Sequence, residues 1–128
     1  MTGILIDTYT WIEIFRNSPW GQQALECIEQ NSPLAVSVLT LYELQYRFTD
    51  LCGEEKTGSF IATISTHADV IPVDMQIAIV AGTIRAGQKK GNGMGAVDCM
   101  ILATARIHNL KVLTGDMHFK GLEETILL

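Results

Sequence analysis

The sequence predicts an α/β fold in which a central parallel sheet of about five short strands lies between helices on both faces. Short apolar runs recur along the chain, and segments with apolar residues at helical spacing separate them. Runs that are apolar throughout, rather than at alternate residues, are typical of strands buried on both faces of a parallel sheet. The length of 128 residues, of which 48% are hydrophobic and 18% charged, suits one buried core. We therefore expect a single domain over residues 1–128.

The first half of the chain predicts two strands and four helices. The strands are residues 4–6 and 34–37, and the helices are residues 10–17, 20–30, 39–51 and 54–66, the last being the weakest. Apolar residues at positions 41, 44, 48 and 51 give the third helix its regular spacing. Each strand is thus followed by a pair of helices.

The second half predicts two further strands, two helices and a closing apolar run. The strands are residues 70–73 and 111–114, and the apolar run is residues 126–128. One helix has Asp74 as its N-cap and ends between Gly87 and Gly91, and the other helix is residues 96–109. Residues 89–95 hold three glycines and two lysines, which predicts a flexible loop. In a parallel sheet of this kind, functional groups collect outside the carboxyl ends of the strands.

Charge and composition exclude several classes of protein. Nine Lys and Arg against 14 Asp and Glu give a formal net charge of −5, which does not suit a protein that holds duplex nucleic acid by charge alone. Cys27, Cys52 and Cys99 are odd in number and widely spaced, so we expect neither a disulfide framework nor a zinc site. No apolar run is long enough for a membrane span, and no basic segment precedes an apolar one at the N-terminus. We therefore expect a soluble, cytoplasmic protein.

Four acidic residues occupy positions at the expected functional edge or on inward helix faces. Asp7 and Asp116 follow the carboxyl ends of predicted strands. Asp98 lies on the apolar face in the first turn of a predicted helix, and Glu43 lies at the border of an apolar face of another. Clustered carboxylates repel one another unless a cation lies among them, and an all-oxygen set suits Mg²⁺ or Mn²⁺ better than zinc. The residues alone therefore favour a hard-metal site.

Four blocks of sequence contain these acids. They are residues 4–8 (ILIDT), 37–44 (SVLTLYEL), 98–105 (DCMILATA) and 113–119 (LTGDMHF), which together span nearly the whole chain. Each block alone is weakly specific, but in this order they resemble the PIN-domain ribonucleases, and most of all the VapC toxins of toxin–antitoxin pairs. The resemblance implies a PIN-like fold and metal-dependent endonucleolytic cleavage of RNA.

The resemblance also assigns roles. It implies that the catalytic residues and metal ligands are Asp7, Glu43, Asp98 and Asp116, with Mg²⁺ as the cofactor and Mn²⁺ as a substitute. One or two such ions would activate water and stabilise charge on the scissile phosphate. It further implies a small VapB-like antitoxin as partner, and we expect a homodimer. Beside Asp7 and Asp116, the hydroxyls of Thr8 and Thr114 are placed to orient the carboxylates.

Two positions depart from the family pattern. Tyr9 stands where many members have Asn, so a polar contact near the site is missing. His118 stands where some members carry a further acid, which leaves the choice between one and two metal ions open.

Simpler interpretations remain for several residues. N-capping accounts fully for Asp74. The loop at residues 89–95 is either a connector or a mobile segment that brings lysines to RNA. Trp11, Phe15 and Trp20 form either core packing or a groove for a partner.

Rival functions also remain. Glu43 alone is also typical of a solvated helix residue. If the acidic site were inactive, the chain would be a PIN-like scaffold that binds RNA or protein without catalysis. A housekeeping PIN nuclease without an antitoxin is a further alternative. A haloacid dehalogenase type of phosphatase is disfavoured, because it needs a second Asp two residues after Asp7, where Tyr9 stands.

Overall fold

The computed structural model describes residues 3–31, 33–88 and 93–128, and these residues form five strands and six α-helices. The strands are β1 (Gly3–Ile6), β2 (Leu34–Ser37), β3 (Asp69–Ile71), β4 (Leu110–Thr114) and β5 (Thr125–Leu127). The helices are α1 (Thr8–Phe15), α2 (Pro19–Gln30), α3 (Val38–Cys52), α4 (Glu54–His67), α5 (Met75–Ala86) and α6 (Ala96–His108), and a 3₁₀ turn (Met117–Phe119) connects β4 to β5.

The five strands form one sheet in the order β3-β2-β1-β4-β5, and all neighbours are parallel. The predicted α/β class and parallel sheet are therefore confirmed. β1 lies in the centre of the sheet, between β2 and β4. The chain first adds β2 and β3 on one side of β1, and it then adds β4 and β5 on the other side. This reversal of strand order opens a crevice at the carboxyl ends of β1 and β4, where parallel sheets commonly place their functional sites.

The sheet is covered on both faces, as the sequence predicts. Successive residues of a strand point to opposite faces, and all residues of β1 are buried. Ile4 and Ile6 belong to a core that includes residues of α1 to α4, whereas Leu5 belongs to a second core with residues of α5 and α6. The continuous apolar run of β1 is needed because each of its residues packs against one of these two layers.

Most element boundaries differ from the predicted ones by one or two residues, and two of these differences have a clear physical cause. Helix α1 begins at Thr8, two residues earlier than predicted, because the Asp7 side chain caps it and accepts a hydrogen bond from the Thr10 backbone N–H at 3.0 Å. Strand β3 ends at Ile71 rather than at residue 73, since Pro72 has no N–H with which to continue the ladder.

The second half of the chain otherwise follows the prediction. Asp74 is the N-cap of α5 and accepts a hydrogen bond from the Ile77 backbone N–H at 2.9 Å, so the capping interpretation is confirmed. Of the glycine-rich segment predicted as a loop, residues 89–92 lie outside the described residues. No helix in the described part of the chain has the length and hydropathy required to cross a membrane.

The aromatic residues near the start of the chain divide between core and surface. Trp11 is 6% exposed, and Phe15 packs against Phe48 and Phe60 with ring centroids 5.9 and 4.4 Å apart. Trp20 is 49% exposed. The core interpretation therefore holds for the first two, and they do not form a groove with Trp20.

Candidate active site

A pocket of about 290 Å³ lies at the carboxyl ends of β1 and β4 and brings together the four acids singled out from the sequence. Elements distant in sequence supply them, since two follow strands and two lie on α3 and α6. The pocket is lined by Asp7, Thr8, Tyr9, Glu43, Arg47, Val97, Asp98, Ile101 and Asp116.

Asp7 is the most buried of the four carboxylates. One of its oxygens caps α1 by accepting from the Thr10 N–H, and the other accepts a hydrogen bond from the Thr114 hydroxyl. The Thr10 hydroxyl in turn donates to the Leu113 carbonyl at 2.9 Å and ties α1 to β4. Burial raises the pKa of Asp7, while the hydrogen bonds from Thr114 and Thr10 oppose this effect.

Thr114 connects two of the acids. Its side chain is fully buried, its hydroxyl donates to Asp7, and its oxygen accepts a hydrogen bond from the Asp116 backbone N–H at 2.9 Å. Asp116 Oδ1 then accepts from the His118 backbone N–H at 2.9 Å and caps the 3₁₀ turn. The spacing between Asp7 and Asp116 is thus fixed by one hydroxyl group.

Thr8 acts on a different acid from the one beside it. Its hydroxyl donates to Glu43 Oε1 at 2.8 Å, so it orients Glu43 rather than its neighbour Asp7. This bond joins the first turn of α1 to α3 and turns the half-buried Glu43 carboxylate toward the pocket. The expectation that Thr8 serves Asp7 is wrong, because the helical backbone after Asp7 directs the Thr8 side chain away from it toward α3.

Asp98 carries the clearest electrostatic sign of a clustered site. It is half-buried in the first turn of α6, and burial, together with the charge of Asp116, raises its pKa from 3.8 to about 6. Asp7 and Glu43 raise it further, and only His118 opposes them. Four acids therefore interact across this pocket, because the negative charges of the other three disfavour ionisation of Asp98.

The donor atoms suit a divalent cation. One ligand atom each from Asp98, Asp116 and His118 lies within 4.8 Å of the others. The carboxylates of Asp7 and Glu43 line the same pocket. Carboxylate oxygens are the ligands that Mg²⁺ and Mn²⁺ prefer. The acids also repel one another, and a bound cation would remove this unfavourable repulsion.

Sequence reasoning overlooked one residue of this pocket. Arg47 lies four residues after Glu43 on α3, so the helical repeat places both on the same side of the helix. It is exposed at the pocket, where its charge is opposite to that of the acids. The i,i+4 spacing was the available signal.

A second feature of the pocket is a contact between Tyr9 and Gly115. The Tyr9 ring lies so close to Gly115 that an added Cβ there would overlap Cε1 and lie 2.9 Å from Cδ1 and Cζ. The glycine therefore allows the aromatic ring to form one wall of the acidic pocket.

The family model described as PIN domain matches residues 4–124. The tRNA(fMet)-specific endonuclease VapC of Salmonella typhimurium is 30% identical over 119 residues, which cover 91% of this chain and 89% of that protein.

Solved structures give the same result. A toxin–antitoxin complex from Klebsiella pneumoniae contains a chain with a TM-score of 0.77 and 26% identity, covering 97% of this chain and 96% of that one. DNA-bound VapBC from Salmonella typhimurium also contains a chain that resembles this one, with a TM-score of 0.78 and 25% identity. The match covers 100% of this chain and 98% of the chain in that complex.

Proposed function

The chain belongs to the PIN-domain family, and on that premise we propose that it is a Mg²⁺-dependent endoribonuclease that acts as the toxin of a toxin–antitoxin pair. The observation that carries the proposal is the convergence of Asp7, Glu43, Asp98 and Asp116 on one pocket, with the pKa of Asp98 raised by its acidic neighbours. The similarity to an endonuclease named VapC and to chains of toxin–antitoxin complexes supports both parts.

The residues of the chain have distinct tasks in this mechanism. The four carboxylates would hold the cation, which when bound supplies an activated water and stabilises negative charge on the scissile phosphate. Thr114 keeps Asp7 and Asp116 at a fixed spacing. These fixed positions reduce the reorganisation needed when RNA arrives.

Two further side chains fit the binding of RNA. Without a cation, the acidic pocket repels phosphate groups, and Arg47 is the positively charged side chain that lines it among the described residues. We assign to Arg47 an ion pair with an RNA phosphate beside the cleaved bond. The Tyr9 ring, 37% exposed, offers a surface on which a base can stack.

Cleavage of RNA by purified protein tests the enzymatic proposal. We expect activity with Mg²⁺ or Mn²⁺, none with EDTA, and a loss of at least about a hundredfold in Asp98→Asn, since the cation supplies most of the transition-state stabilisation. Asp69→Asn is a matched control, because Asp69 is exposed at the start of β3, away from the pocket. Mapping of 5′ ends in total RNA after brief expression of active and Asp7→Asn forms would identify the substrate. Undiminished cleavage in EDTA would contradict the proposal.

The antitoxin partner requires a surface beside the pocket. We propose that its cationic side chain binds the acids and that its apolar side chains occupy a neighbouring depression between α1 and α3, which Arg47 also borders. Most of its lining is apolar, and it comprises Ile12, Tyr46, Arg47, Phe48, Asp50 and Leu51. This depression replaces the aromatic groove that the sequence left as an alternative to core packing, since Trp11 is buried.

Co-expression with an adjacent small open reading frame tests the partner. We expect rescue of growth and co-purification, and loss of co-purification in Leu51→Glu, because Leu51 is 80% exposed on that surface. Ile79→Glu, at a 62% exposed position on α5, is the control. If the neighbour neither binds nor protects, a housekeeping nuclease replaces the toxin. Equal effects of the two variants would contradict the docking surface. Light scattering on the purified chain tests the proposed homodimer.

A further inference from the structure

His118 lies at the edge of the acidic pocket, next to two of its carboxylates. Its Nδ1 is 2.9 Å from Asp116 Oδ1, and its side chain is 49% exposed. One ligand atom from each of His118, Asp116 and Asp98 lies within 4.8 Å of the other two. The imidazole is thus accessible from solvent and close to both acids.

The separation between His118 and Asp116 matches that between neighbouring ligands of one metal ion. In an octahedral site with metal–ligand distances of about 2.1 Å, neighbouring ligands are about 3.0 Å apart and opposite ligands about 4.2 Å apart. The 2.9 Å between His118 and Asp116 equals the shorter spacing. All three ligand atoms lie within 4.8 Å of one another, so a small contraction would bring them to a common ion.

We propose that His118 is a nitrogen ligand of the divalent cation held by Asp98 and Asp116, and that it shifts the preference of the site from Mg²⁺ toward Mn²⁺. The inference rests on the proposed function, because it adds a ligand to the same metal site. Mg²⁺ is a hard ion that favours oxygen ligands, whereas transition-metal ions gain more from an imidazole nitrogen. A fifth donor group also adds binding free energy that four carboxylates do not supply.

The competing explanation is that His118 only hydrogen-bonds Asp116. In that arrangement an Nδ1–H would donate to Oδ1 and hold the carboxylate, and the cation would have oxygen ligands alone. Both explanations predict weaker metal binding when His118 is replaced. Only coordination places a nitrogen atom in direct magnetic contact with the metal.

Pulsed electron paramagnetic resonance of the full chain with Mn²⁺ distinguishes the two explanations. We expect a ¹⁴N coupling from a directly bound imidazole, replaced by a ¹⁵N pattern when histidine is labelled. The signal should disappear in His118→Gln and persist in His108→Gln, whose side chain lies in the exposed last turn of α6. Calorimetric titration should show Mn²⁺ affinity lowered in His118→Gln by at least the roughly 10-fold that loss of an outer-shell partner already costs, with a smaller change for Mg²⁺.

Each result has a definite meaning. A coupling that disappears only in His118→Gln supports nitrogen ligation. Mn²⁺ binding without a nitrogen coupling, or equal loss of Mg²⁺ and Mn²⁺ affinity in the variant, would overturn this inference and leave the nuclease proposal standing. Failure of the unaltered chain to bind either ion would overturn the proposed metal site itself.

Discussion

Replacement of Asp98 by asparagine should stabilise the protein in the absence of metal. In the folded protein the pKa of Asp98 is about 6, above its ordinary value of 3.8. The folded state therefore retains this proton in a pH range where the unfolded state has lost it, and the free energy of unfolding falls as the pH rises from about 4 to about 6. Above about pH 6 the cost of the charged carboxylate is complete, and asparagine removes it.

The size of the effect follows from the raised pKa. A difference of about two units corresponds to about 3 kcal/mol. Solvent screens a half-buried carboxylate, and loss of a negative charge near the N-terminus of α6 costs about 0.3 to 1 kcal/mol, so a net gain of about 1 to 2 kcal/mol remains. For 128 residues, this corresponds to a melting temperature about 4 to 8 °C higher.

Thermal melting in EDTA at about pH 7.5 and at about pH 5 measures this gain. The variant should melt above the unaltered protein at the higher pH, and the difference should shrink at the lower pH. Asp69→Asn makes the same change in net charge at an exposed position and should have little effect. With Mg²⁺ added, the unaltered protein should gain more stability than Asp98→Asn.

Two results would refute this reasoning. If Asp98→Asn melts at or below the unaltered protein in EDTA at both pH values, the acids do not repel one another as the raised pKa requires. If Asp69→Asn gives an equal gain, the cause is net charge and not the cluster.

Substitutions at Thr114, Gly115 and Tyr9 test the architecture of the pocket. Thr114→Val removes the hydroxyl that joins Asp7 to the Asp116 N–H. The free energy of unfolding, measured by melting, should fall by about 1 to 3 kcal/mol, and RNA cleavage should decrease. Thr114→Ser, which keeps a hydroxyl, should restore both. Gly115→Ala should displace the Tyr9 ring and reduce RNA binding measured in Ca²⁺. Tyr9→Ala should reduce this binding as well, whereas Tyr9→Phe keeps the ring and should bind RNA nearly as tightly as the unaltered protein. Unchanged RNA binding by Tyr9→Ala would show that the ring is not the contact.

The predicted fold depended on patterns that are local in sequence. Apolar runs and helical spacing are properties of neighbouring residues, and they identified the strands and helices of the parallel sheet. The boundaries depend on backbone hydrogen bonds that the pattern does not contain. Asp7 both caps α1 and lines the pocket, which moves the helix start to Thr8, and Pro72 ends β3 because it lacks an N–H.

The candidate site was only partly accessible from the sequence for the same reason. Acids after strand ends are recognisable because parallel strands align their carboxyl ends. The bond from Thr8 to Glu43 joins residues 35 positions apart, and the contact between Tyr9 and Gly115 joins α1 to the loop after β4, so both depend on how the helices pack against the sheet. The role of such a hydroxyl or glycine cannot be read from neighbouring residues.

The repulsion among the acids connects the stability of this protein to its proposed activity. Holding Asp98 charged beside Asp116 costs the folded chain free energy. A cation that neutralises the pocket removes this cost, and its binding is strengthened by the same amount. An arginine or lysine from an antitoxin would remove the same repulsion, so metal and inhibitor must compete for the acidic pocket. Asp98→Asn lowers the repulsion before either binds. The variant should therefore be more stable alone, bind metal less tightly, and bind a cationic inhibitor less tightly. A loss of metal affinity with unchanged affinity for the antitoxin would show that metal and antitoxin bind at different sites.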